Sequence, residues 1–197
     1  MTCAYLNIRR ESCNDTSRRG SFRAMKLRRL NFAFLWITTL SLVAVYAGDN
    51  RWRSATEAEL KRVIPARAPV IKENIETEFR TASGVTDGQG KFIAGVVMIT
   101  AGYSAEGKYS HFFITQVPIK VGDLSLSSGA YVFGYQRKNN DAIEITFYGA
   151  SSGESLGSVE AHVNRKSSMV RSLLISPPSR DKGTIQVGRF VFEYQLR

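Results

Sequence analysis

Cysteine is nearly missing from this chain of 197 residues, which has two, Cys3 and Cys13. Beyond position 13 there is no thiol for a disulfide, a thiolate nucleophile or a zinc–cysteine centre, so whatever folds there does so without staples. Histidine is almost as scarce. His111 and His162 are the only two, and neither has a second ligand at a metal-binding spacing. The expected role of both is a hydrogen-bonded structural one within strands; a site using both with a carboxylate is the alternative. Proline occurs five times, at 65, 69, 118, 177 and 178, each where the chain pattern breaks. No repeat of fixed period and no low-complexity linker is present.

The chain carries a net charge of +10, which alone would suggest nucleic acid or a membrane surface as partner. Residues 1–47 hold eight basic residues against two acids, giving +6, and the remaining 150 residues hold 19 against 15, giving +4. That remainder is an ordinary soluble surface, and nucleic acid is not the expected partner.

The division at 47 follows from a leader pattern. Lys26, Arg28 and Arg29 precede the apolar run Leu30 to Val45, and Val45-Tyr46-Ala47 has the small or aliphatic residues that a signal peptidase reads. The pattern predicts a signal peptide over 25–47 cleaved between Ala47 and Gly48, and an exported protein, periplasmic or extracellular, with no stable membrane span after cleavage. The alternative is an anchor over 30–47, just long enough to cross a bilayer. Residues 1–24 are polar and basic without apolar periodicity, and read either as a disordered extension before a true start at Met25 or as a long leader with Arg18-Arg19 or Arg28-Arg29 as a twin-arginine pair.

After the leader, Thr56 or Ser54 can cap a short helix in which Glu57 and Glu59 precede Lys61 and Arg62, and Pro65 stops it. Residues 48–69 are thus a short helix and an extended linker. From 70 to 197 the pattern is that of strands. Val70 to Ala82 fits both helix and strand spacing, and its Thr and Phe content favours strand. KFIAGVVMITAGY (91–103) reads as a strand buried on both faces. GAYVFGYQRK and AIEITFYG alternate with period two on either side of Asn139-Asn140-Asp141, which is a hairpin signal. TIQVGRFVFEYQL (184–196) reads as one closing strand. Eight to ten strands with short turns imply a mainly β, single antiparallel β-sandwich, with a small closed barrel as the alternative.

The run VGDLSLSSGAYVFG (Val121 to Gly134), leading into an alternating strand, resembles a hairpin of uncharacterised secreted bacterial β-sandwich proteins. Similar glycine hairpins occur in carboxypeptidase regulatory-like and transthyretin-like domains. The resemblance implies an exported β-sandwich and no activity.

Candidate chemistry is sparse. Gly149-Ala150-Ser151-Ser152-Gly153 matches the G-x-S-x-G nucleophile elbow, but a strand rather than a helix is expected after it, so the match reads as a tight turn. Glu76 and Glu78 would share one face of a strand and form a carboxylate pair, or a solvated face. Arg137-Lys138 and Arg165-Lys166 fall at strand ends and could hold an acidic ligand if the two turns lie at one end of the fold. Tyr131, Tyr135, Tyr148 and Tyr194 are the candidate ligand face among aromatics that otherwise fill a core. No cofactor, metal or catalytic residue is expected. The reading is an exported binding or structural module whose partner is a small ligand or an envelope protein. Its rivals are a lipocalin-like barrel carrying an apolar ligand, a hydrolase, and an outer-membrane barrel.

Overall fold

The computed structural model describes residues 52–100, 108–165 and 168–197. The leader expectations, including cleavage between Ala47 and Gly48, fall outside these residues. The described chain is mainly β and antiparallel, with one short helix. Its elements are β1 (Arg53–Ser54), α1 (Glu57–Val63), β2 (Arg67–Val70), β3 (Glu73–Thr86), β4 (Phe92–Met98), β5 (His111–Thr115), β6 (Ile119–Val121), β7 (Leu124–Leu126), β8 (Gly129–Arg137), β9 (Ala142–Gly149), β10 (Ser155–Val163), β11 (Arg171–Ile175), β12 (Lys182–Gly188) and β13 (Phe190–Leu196).

All thirteen strands join one sheet, more than the eight to ten expected, and the sheet curls into a nearly closed barrel in the order β3-β4-β5-β8-β9-β10-β13-β12-β11. Of the two closures expected, the barrel is the one the sheet approaches. Each neighbour on this path is antiparallel to the last. Nine strands is an odd number, so β3 and β11 meet at the seam running the same way. Among the described residues no backbone ladder joins them. The seam is made by packing and by one bond, in which the backbone N–H of the buried Ile175 donates to Ser83 Oγ at 2.8 Å.

Alternation places side chains on two faces, and each face has its own core. Inside the barrel Phe113, Phe133, Phe147 and Phe192 form a chain of rings with centroids 5.2–6.4 Å apart, surrounded by Ile93, Ile145, Ile185 and others. On the outside, Leu60 and Ile64 from α1 and its end, Ala68 and Val70 from β2, and Ile75 from β3 cover Ala94, Val96, Met98, Phe112 and Val132. Strand β4 therefore contributes to both cores, as its continuous apolar run predicts.

Local chemistry sets the ends of these elements. Thr56 caps α1 by a capping box: Glu59 N–H donates to Thr56 Oγ1 (3.3 Å) and Thr56 N–H to Glu59 Oε2 (2.8 Å). Residues 67–69, expected as linker, belong with Val70 to strand β2, paired to β3. The stretch 184–196, expected as one strand, is most of a hairpin. Val187 pairs with Phe190 across Gly188-Arg189, and Gly188 takes φ +62°. That turn needs a left-handed residue, which glycine supplies at no steric cost. No helix among the described residues is long and apolar enough to cross a membrane.

Candidate functional site

Three turns meet at one end of the barrel, and hydrogen bonds tie them together. Val163 N–H donates to Asp141 O (2.9 Å), Asn164 N–H to Arg189 O (2.8 Å), and Arg189 Nη2 to Asn140 O (2.8 Å). The β8–β9 turn, the end of β10 and the β12–β13 turn are thus one surface. The start of β11 joins it, because Arg171 pairs with Gly188 and the Gln186 amide donates both to Gly188 O (2.9 Å) and to Met169 O (2.8 Å).

The side chains this surface presents are mainly cationic. Arg137 and Lys138 come from the β8–β9 end, Arg165 follows β10, Arg189 forms the β12–β13 turn and Arg171 opens β11; all five are exposed, and Asp141 of the β8–β9 turn is an exposed acid among them. The expected condition for an acidic-ligand site is therefore met for Arg137, Lys138 and Arg165, which share one end; Lys166 lies outside the described residues. Lys138 pairs with Glu160 at 2.8 Å, a bond that raises the lysine and holds the carboxyl below its usual range. Arg137, Arg165, Arg171 and Arg189 have no carboxylate partner among the described residues. At the opposite end the charges are mixed, with Asp87, Glu154 and Asp181 beside Lys91, Arg180 and Lys182.

Sequence reasoning did not foresee Arg171 and Arg189, although a signal for Arg189 was present. Ile185 and Val187 alternate in one phase and Phe190, Phe192 and Tyr194 in the other. An uninterrupted strand would point Arg189 into the core, and the slip of phase marks a two-residue turn.

Just inside this end lies His111. Its ring stacks on Phe133 (4.6 Å, 6° between planes) and sits 6.3 Å from Tyr135. The Ser110 hydroxyl lies 2.8 Å from Nδ1 and the Ser172 carbonyl 3.5 Å from Nε2, so each ring nitrogen of the imidazole faces an oxygen. Burial pushes the imidazole down to about 4, only partly opposed by the Ser172 bond, so it is neutral at pH 7.

The four candidate tyrosines do not share a face. Tyr131 and Tyr194 belong to the interior core, their hydroxyls donating to the carbonyls of Ser127 and Ser176, each at 2.8 Å. Burial pushes the Tyr194 hydroxyl well above its usual range. Tyr148 packs outside, edge-on to Tyr109 at 5.2 Å. Tyr135 alone stands at the cationic end, 44% exposed.

Other candidates separate as well. The Gly149 to Gly153 turn leads from β9 into strand β10 rather than into a helix, and Ser152 Oγ accepts from Glu154 N–H. Ser151 and His162 sit at opposite ends of β10, on the order of 30 Å apart at the rise of a strand. His111 is inside the barrel while His162 is outside and exposed. Glu76 is exposed, and Glu78 pairs with Arg80 at 3.1 Å. No group of three potential metal ligands occurs among the described residues.

A cleft of about 890 Å³ opens where β10 and β13 part after the His162–Val191 pair, reaching the core residues Val159 and Phe192. Beyond the fork β13 pairs with β6 instead, and the β6–β7 turn closes the third side. Its lining mixes Asp123, Glu160 and Glu193 with His162 and Arg165. It adjoins the cationic end through Arg165.

Comparison with known proteins adds no relative. No family model, curated protein or solved structure matches this chain.

Proposed function

We propose that the chain is an exported, single-domain β module that binds an anionic partner through the cationic end of its barrel. The observation that carries the reading is the gathering of Arg137, Arg165, Arg171 and Arg189 at one end with no carboxylate partner among the described residues. Uncompensated like charges on neighbouring turns repel one another, and an anion placed among them removes that cost and gains charge-assisted hydrogen bonds. Support for a module over an apolar-ligand carrier comes from the interior, where phenyl rings and aliphatic groups at or near zero exposure occupy the barrel.

Retention on phosphocellulose tests the binding half. The variant R137Q/R165Q/R171Q/R189Q is to elute at clearly lower salt than the unaltered chain, and a control variant neutralised at Lys91, Arg180, Lys182 and Arg197 is to shift less. Equal shifts from the two variants would defeat the assignment to this end. Osmotic-shock release followed by intact-mass measurement tests the location: a soluble species beginning at Gly48 is expected, and a cytosolic protein that retains its leader refutes export.

A further inference from the structure

Beside the cations stand two of the most exposed apolar side chains of the described residues. Met169 is 55% and Val170 69% exposed, and Arg165 and Arg171 flank them in the chain. Scattered exposed apolar residues are ordinary. Here the chain is anchored at Met169: the buried Gln186 amide grips the Met169 carbonyl and the Gly188 carbonyl together, tying that residue to the β12–β13 turn, and both side chains stand exposed. Tyr135, half exposed at the same end, has the amphipathic ring that suits a membrane–water boundary.

Resting on the anion-binding reading above, we propose that the anionic partner is a phospholipid surface: the barrel docks end-on, with Arg137, Arg165, Arg171 and Arg189 on the headgroup phosphates and Met169 and Val170 entering the interface between them. Such a surface complements this end in both charge and polarity. A soluble polyanion such as nucleic acid satisfies the arginines and leaves the apolar tip in water. An anionic bilayer takes both, since its surface attracts each nearby cation by about 1 kcal/mol, or roughly fivefold in partition, and the boundary beneath accepts apolar groups. The same geometry makes the contact reversible, because two small apolar side chains and four charges fall far short of a membrane span.

The test uses the full chain with Cys3→Ser and Cys13→Ser, labelled with a polarity-sensitive dye at Val170→Cys or, as the control at the opposite end, at Ser151→Cys. The probes are vesicles of phosphatidylcholine with and without phosphatidylglycerol. Because the label reports its own surroundings, residues 1–51, identical in every sample, do not supply the signal. The expected result is a blue shift at 170 and not at 151, only with phosphatidylglycerol, reversed by high salt. With the dye kept at 170, R137Q/R165Q/R171Q/R189Q is to need on the order of a hundredfold or more lipid for the same shift, and Met169→Ser roughly fivefold more. All these positions are exposed, so unchanged circular dichroism and melting temperature are to accompany the losses. If the arginine variant loses phosphocellulose retention but the dye at 170 never shifts, the membrane inference falls and the anion-binding reading stands. Tight binding of duplex DNA that is insensitive to M169S/V170S, without a vesicle response, likewise replaces membrane by nucleic acid. If the arginines govern neither phosphocellulose nor vesicles, both proposals fall.

Discussion

Acidification provides a measurable probe of the barrel interior through His111. The imidazole is buried, held neutral between Ser110 and Ser172, and titrates at about 4 when folded against 6.5 for an unperturbed histidine. Between those two values the unfolded chain binds a proton that the folded chain refuses. Stability from this group is therefore fully present above pH 6.5 and declines as pH falls, levelling off below about 4 once the folded form also protonates. At about 1.4 kcal/mol per unit, the difference of about 2.5 units corresponds to about 3 kcal/mol. His111→Phe keeps a ring stacked on Phe133 but cannot titrate. Urea midpoints for both proteins across pH 7 to 4 are to converge, with the unaltered chain losing about 3 kcal/mol relative to the variant over that range. Glu59, which its bonds to Arg53 and to the Thr56 backbone and hydroxyl hold down at about 2, loses its contribution as pH falls below its ordinary value of 4.5. That lower window cancels in the comparison because both proteins share it. Curves that stay parallel from pH 7 to 4 would refute the account of a neutral, desolvated imidazole.

Three further perturbations probe the remaining structure. Phe147→Ala removes the ring that touches Phe113, Phe133 and Phe192, and is to cost about 3–5 kcal/mol in urea unfolding. Ser83→Ala leaves the N–H of buried Ile175 unpaired at the seam; it is to cost about 1–3 kcal/mol and to speed amide exchange in β11 more than in β9. Thr56→Ala dissolves the capping box and is to cost about 1 kcal/mol, visible as a lower melting temperature with the sheet signal in circular dichroism unchanged.

The cationic end was only half legible. Arg137-Lys138 and Arg165 could be placed at strand ends because the flanking alternation stops there, but nothing local says that two turns about 25 residues apart share an end. That follows from β9 pairing antiparallel to both β8 and β10, which is a consequence of register. Arg189 was hidden in a stretch that looked like one continuous strand. Apolar character alone does not reveal which side of a closed sheet a residue ends on. The tyrosines were grouped by chemistry, and the fold divided them: Tyr131 and Tyr148 lie on adjacent paired strands yet face opposite sides of the wall.

By itself the sequence determined the local conformations: strands from period-two alternation and β-branched content, turns from Gly, Asn and Asp, one helix from its cap, and a described domain without cysteine. These depend on interactions among near neighbours in the chain. The tertiary structure alone decided that the sheet rolls toward a barrel rather than folding onto a second sheet, that the seam between β3 and β11 carries no ladder among the described residues, and that four arginines stand together. An alternating strand buries the same face whether it meets another sheet or the far side of its own, so the choice rests on the packing of Phe113, Phe133, Phe147 and Phe192, residues far apart in the chain.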